Sequence, residues 1–295
     1  VTGLSVGDWN RVEYNSAMIG HGGHFFRSSY DGNITINSGG DIDVEAGKGY
    51  HEFSRIGHGG YESGITPNDI ASTTVAGEIN VTAAGSIGLT GGGSANPDAR
   101  SGDSIFSYSQ IGHGANNMGL TVTGQNITVT AGNDLSLSGG VGLRDAYAHI
   151  GHGSLNNGDG DFSGTINVSA GRNLFLTKTT GRVFSQDEAG TDILSVRAYV
   201  KIGHGDADSA GRTKSLGQWD GDINVKVGDD LISVGGVIGH ADPTNGDGSL
   251  RSRDGNTYLA VGRNAPTAVG RGRLITDAET VFTSSQLGVG SELRL

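Results

Sequence analysis

Cysteine is absent from this 295-residue chain, so neither a disulfide framework nor a thiolate metal site belongs to its design. Proline is scarce, at four residues, and glycine follows no three-residue period, which excludes a collagen-like triple helix. Aromatic residues make up 6 % and hydrophobic residues 34 %. A chain so poor in bulky apolar side chains fills thin apolar stripes better than one broad core. Cations are few as well: 20 Lys and Arg stand against 31 Asp and Glu, a net charge of −11, and the nearest thing to a basic run is Arg271-Gly-Arg273. That balance argues against nucleic acid as a partner. No stretch of 18 apolar residues occurs, so no membrane-spanning helix is expected. The first residues lack the charged-then-apolar layout of a signal peptide, so if the protein is secreted its signal is expected to lie outside this sequence.

What the chain has in abundance is glycine, 54 residues or about 18 %, against roughly 7 % in average usage. Much of it belongs to a repeat. Ile-Gly-His-Gly occurs at 19–22, 56–59, 111–114, 150–153 and 202–205, and Ile238-Gly-His-Ala241 is a sixth copy. Leu287-Gly-Val-Gly290 reads as a degenerate seventh, because Ser285-Gln286 precedes it as Ser109-Gln110 precedes the third. A second motif, I-x-[IV]-x-small, begins at Ile34, Ile79, Ile127, Ile166 and Ile223, and an aliphatic residue follows each eight positions later, at Ile42, Ile87, Leu135, Leu174 and Leu231. The outer spacing varies between 36 and 55 residues while the inner spacing does not. Constant elements joined by variable ones mean a fixed scaffold with tolerant loops. The variable parts are Tyr61–Gly77, Gly91–Ser104, Thr177–Arg197 and Asp206–Gln218.

Alternation of apolar and polar residues, as in Ile166-Asn-Val-Ser-Ala170, has the period of a strand, and helical spacing is missing. Each unit predicts three strands: the I-x-V segment, the segment eight residues on, and one ending in Ile-Gly-His-Gly. A lone unit cannot bury its inner face but stacked units can. The expected fold is therefore all-β, a right-handed parallel β-helix or β-solenoid of about six to seven coils spanning residues 1–295 as a single domain, with a reading of two coils per repeat left open. The Ile34, Ile79, Ile127, Ile166 and Ile223 row is expected to face inward. So is the small residue two before each motif isoleucine: Ala17, Ser54, Ser109, Ala148 and Val200. The aromatic three before it (Phe53, Tyr108, Tyr147, Tyr199) is expected to point outward and stack on its equivalents.

Repeated Ile-Gly-His-Gly units alternating with G-x-I-x-V-x-A-G-x-x-L-x-L runs resemble the large bacterial exoproteins of the filamentous-haemagglutinin class. The resemblance covers nearly the whole chain and implies secretion by a two-partner route, an extracellular location at the bacterial cell surface, and a role in a fibre or adhesin. It carries no binding-site residue over to this sequence.

Three sets of polar residues are candidates for chemistry. His21, His58, His113, His152, His204 and His240 should form a ladder about 4.8 Å apart. A metal row is one reading. A structural ladder is favoured, because metal sites vary their ligands and converge from several directions. Asp41, Ser86, Asp134, Asn173 and Asp230 share one turn position, where short polar side chains bond backbone. The loops Asn156–Asp161 and Asp242–Asp247 have oxygen ligands for calcium but lack the spacing of known calcium loops. Asp229-Asp230 resembles a carboxylate pair, but adjacent strand residues point to opposite faces. The chain is therefore expected to be a structural or adhesive rod without cofactor and not an enzyme. Its expected partners are other copies end to end, the remainder of a longer rod, or cell-surface glycans. The alternative is a β-helix polysaccharide lyase or hydrolase, which should break the repeat locally with clustered acids and aromatics.

Overall fold

A computed structural model describes residues 16–24, 29–49, 51–61, 73–93, 107–114, 120–141, 146–153, 161–179, 183–186, 192–194, 199–205, 219–240, 253–254, 257–262, 273–275, 281–282, 286–289 and 292–294. The described part is all strand and turn, without a helix. The strands gather into three parallel sheets of seven.

The first sheet takes Ile34–Ser38, Ile79–Ala83, Ile127–Ala131, Ile166–Ala170, Ile223–Val227, Thr257–Val261 and Gln286–Val289. The second takes Ile42–Glu45, Ile87–Thr90, Leu135–Ser138, Leu174–Thr177, Leu231–Val234, Arg273–Ile275 and Glu292–Arg294. The third takes Ala17–Ile19, Ser54–Ile56, Ser109–Ile111, Ala148–Ile150, Val200–Ile202, Gly236–Ile238 and Val281–Phe282. Each repeat thus gives one strand to each of the three sheets.

Register is kept throughout. Ile127 stands beside Ile79 on one side and Ile166 on the other, and Ile111 stands between Ile56 and Ile150. Like therefore stacks on like. Ile34, Ile79, Ile127, Ile166 and Ile223 are all buried and belong to one apolar cluster with Ile87, Leu135, Leu174 and the motif isoleucines Ile56, Ile111, Ile150, Ile202 and Ile238, whereas Ile19 of the first copy is exposed. Burying each such side chain contributes roughly 1.5–3 kcal/mol. A one-residue slip would turn the whole row outward, so the alternating pattern itself holds the register.

Three features differ from the sequence expectation. A fourth short strand precedes the first-sheet strand in six repeats: Tyr30–Asp31, Thr73–Ala76 and Leu120–Thr121 pair in one group, Phe162–Ser163, Trp219–Asp220 and Arg253–Asp254 in another. A bridge from Val122 to Phe162 joins the two groups. Val75, Val122 and Phe162 are buried there as a small second core. Next, Gln286–Val289 pairs with Tyr258–Val261 in the first sheet, and the seventh third-sheet strand is Val281–Phe282 beside Val237–Ile238. Leu287-Gly-Val is therefore a degenerate I-x-V segment and not a degenerate histidine motif. Its apolar alternation matches Leu259-Ala-Val261, and that pattern outweighs the Ser-Gln likeness.

The third correction concerns Phe53, Tyr108, Tyr147 and Tyr199. They stack as expected, with centroids 4.6–5.2 Å apart, but they are buried, in a cluster separate from the main core. The alternation that turns them away from the inner isoleucines is correct, and their outward side is buried as well. Of the variable segments, Thr177–Arg197 contains an antiparallel pair, Val183–Gln186 with Asp192–Leu194. Most of the other three lies outside the described residues.

Candidate functional site

The histidines lie where the third sheet turns toward the first. Ile-Gly-His-Gly makes that turn. The first glycine adopts a φ that L residues avoid, +154° at Gly112 and +148° at Gly203. A Cβ there would also sit 1.9 Å from the carbonyl oxygen of the next glycine in the row. The glycine brings the following residue over the edge of the stack, and the following residue is the histidine.

The six rings form a column. Centroids are 4.9–5.0 Å apart from His21 to His240, and from His58 onward neighbouring rings lie within 6° of parallel. His21 is exposed, whereas His58, His113, His152, His204 and His240 are buried. Both nitrogens of each buried ring are in use. Nδ1 accepts the backbone N–H of the preceding histidine in the column: His21 to His58 at 2.9 Å, His58 to His113 at 3.0 Å, His113 to His152 at 3.1 Å, and His152 to His204 and His204 to His240 at 3.2 Å. An accepting Nδ1 carries no proton, so Nε2 carries it. Nε2 then donates to a carbonyl just ahead of a first-sheet strand: Gly32 from His58, Gly77 from His113, Gln125 from His152, Gly164 from His204 and Gly221 from His240, all at 2.6–2.8 Å. Each ring thus ties the third-sheet turn to the lead-in of the first sheet and satisfies two backbone groups that would otherwise be orphaned.

This environment favours neutral rings. Burial, aided by the charge repulsion of His152, pushes His113 down to about 2. Burial takes His152 down to about 4 despite its bond to Gln125. His58 and His204 are lowered by the same cause. With both nitrogens engaged, no lone pair of a buried ring points to a shared position where a metal ion would sit. Among the described residues no group of three or more His, Asp or Glu converges for a metal.

The turn ladder is also present. The Asp41 carboxylate accepts the backbone N–H of Ser86 at 2.7 Å, Ser86 Oγ that of Asp134 at 3.4 Å, Asp134 that of Asn173 at 3.0 Å, and Asn173 Oδ1 that of Asp230 at 3.3 Å. Asp229 faces elsewhere and makes a loose exposed pair with Arg172 at 3.8 Å. Asn156–Gly160 and Asp242–Asp247 lie outside the described residues, and so does Val1–Val6.

One row was not singled out from sequence. The residue before Ile-Gly-His-Gly is Arg55, Gln110, His149 and Lys201 in four consecutive repeats, and all four are fully buried beside the aromatic stack. Each donates to carbonyls of a Gly-His-Gly turn. Arg55 Nη1 reaches Gly114, Gln110 Nε2 reaches Gly151 at 3.0 Å and Gly153 at 2.6 Å, and His149 Nε2 reaches Gly203 at 2.6 Å. Lys201 Nζ caps His204 at 2.5 Å and Gly205 at 2.9 Å. The Arg55 guanidinium lies 5.4 Å from the centroids of both Phe53 and Tyr108 and donates to the Tyr108 hydroxyl at 2.7 Å. Burial, together with the charge of Lys201, lowers His149 to about 3. The signal was available: four successive hydrogen-bond donors at one motif position, with Met18 and Val237 flanking them in the outer copies.

No protein-family model, curated protein or solved structure matches this chain. No helix among the described residues is long and apolar enough to cross a membrane.

Proposed function

We propose that the chain is a right-handed parallel β-helix serving as a structural or adhesive rod at the bacterial cell surface, in the manner of the filamentous-haemagglutinin class it resembles. One observation supports this above the others: the chemistry-bearing side chains are distributed one per repeat and spent on neighbouring backbone. Histidines, the polar turn residues and the Arg55–Lys201 row all form ladders. A catalytic centre on such a scaffold requires the opposite, a local break in the repeat where an acid and a base converge. On this reading the sheets supply length and stiffness, and the variable segments supply contact with glycans or with further rod.

The test pairs shape with turnover. Electron microscopy of purified protein should show a narrow rod, and incubation with acidic and neutral polysaccharides should release no product. A compact particle sinks the rod. Product release abolished by replacing one carboxylate establishes the lyase or hydrolase instead.

A further inference from the structure

We infer that the histidine column is an acid latch: ring protonation unfastens the third-sheet turns from the lead-in to the first sheet, and the unfastening starts at His58 and runs toward His240. The inference stands on hydrogen-bond geometry and holds whether or not the rod is adhesive.

The latch follows from the tautomer. A second proton must go to Nδ1, the atom that accepts a backbone N–H in His58, His113, His152, His204 and His240. Protonation therefore sets a donor against a donor, at a contact of 2.9–3.2 Å. The ring must swing away, and its bond to the lead-in carbonyl goes with it. Stacking adds to the effect, because each cation would lie about 5 Å from the next ring with little water between them.

The surrounding charges set the direction. His58 faces the exposed His21 ring, Tyr30 on the short fourth strand, and Asp31 beside it, whose carboxylate favours a charged ring. His113 faces His58, His152 and the Arg55 guanidinium, all of which oppose its charge. His204 faces His152, His240 and Lys201, which do the same. His149, behind the column, is opposed by Lys201, His152 and Arg55. At the far end, Asp220 and Asp222 flank the Gly221 carbonyl that receives His240. The exposed His21 ring and a helping carboxylate thus meet at His58, while burial, with neighbouring imidazole, guanidinium and ammonium charges added at His113 and His204, holds the middle of the column neutral. Once His58 leaves, the His113 ring loses its cover and takes the same path.

The sign follows from linkage. The folded values lie below the ordinary 6.5, so below that pH the unfolded chain binds more protons than the fold. The contribution is intact above about pH 6.5 and is lost as pH falls toward the folded values, about 4 for His152 and about 2 for His113. Each ring held neutral lowers the folded-to-unfolded ratio about tenfold per pH unit in that window.

The direct experiment uses the parent protein. Ring 15N shifts of labelled histidine, recorded from pH 8 to pH 3, report tautomer and charge, and amide exchange of Gly57, Gly112, Gly151 and Gly203 on the same samples reports whether the turns stay closed. The expected result is that rings stay in the Nε2–H form until their turn opens, with Gly57 losing protection at the highest pH and Gly203 at a lower one. Rings that charge while these amides remain protected overturn the latch, and opening that starts at Gly203 overturns its direction. A double variant, His113→Gln with His152→Gln, should show a folding equilibrium whose loss between pH 6 and pH 4 is about 100-fold smaller per pH unit than the parent's. An identical acid profile also overturns the proposal.

Discussion

His149 and His152 are three residues apart, and both are fully buried. Both donate from Nε2 to a backbone carbonyl, at 2.6 and 2.7 Å. Their rows nevertheless behave differently. His152 stands in a column of six identical residues, while the positions stacked on His149 hold Gln110 and Lys201, with Arg55 beyond. The difference lies in how many backbone groups the side chain must serve. In the column, one flat group must accept on one edge, donate on the other, and stack on its neighbours at 5 Å, and a neutral imidazole does all three from a side chain of this length. Behind the third sheet, a donor that reaches a turn carbonyl is sufficient, and a guanidinium, an amide, an imidazole and an ammonium all reach. Repetition within a chain thus records how many constraints meet at a position.

The largest effect is expected where the two regions share a residue. The Gly203 carbonyl receives His149, and its φ places His204 in the column. Gly203→Ala puts a Cβ 1.9 Å from the Gly239 oxygen and should cost about 3 kcal/mol or more in urea denaturation. The comparison itself is tested by one substitution made twice. His152→Gln should cost about 2–4 kcal/mol, since the amide cannot hold both the His113 N–H and the Gln125 carbonyl in place. His149→Gln copies the neighbouring solution at Gln110 and should cost under about 1 kcal/mol. Equal losses in the two variants would show that burial, and not the number of partners, governs both rows. A smaller effect belongs to the turn ladder, where solvent can replace a lost partner. Asp134→Ala removes the acceptor for Asn173, is half-exposed, and should lower stability by about 1 kcal/mol.

These contrasts also mark what sequence could reveal. The isoleucine rows, the turn acids and the histidine spacing were legible because in-register parallel strands copy sequence period directly into space. The fourth strand was not, since pieces such as Tyr30–Asp31 and Phe162–Ser163 are too short to show alternation. Nor was the burial of Tyr108 and Tyr147: alternation says which side of a strand a residue takes, and is silent on whether another layer lies there. Leu287 takes the place of an I-x-V residue because the apolar pair Leu287 and Val289 sets its strand, whatever the likeness of Ser285-Gln286 to Ser109-Gln110. The donors at Arg55, Gln110, His149 and Lys201 do not show as a row in the sequence because they differ from one another in every repeat.

In-register pairing has a consequence for the length of the molecule. Ser109-Gln-Ile111 makes the same three pairings with Ser54-Arg-Ile56 on one side as with Ala148-His-Ile150 on the other. Cutting out residues 111–149 would join Gln110 to Ile150 and bring Val200-Lys-Ile202 against a partner of the same pattern. Every repeat boundary is thus a seam at which chain can be removed or duplicated without a change of frame. A gene built this way can lengthen or shorten its product by whole units through unequal recombination, with each junction already compatible with its new neighbour.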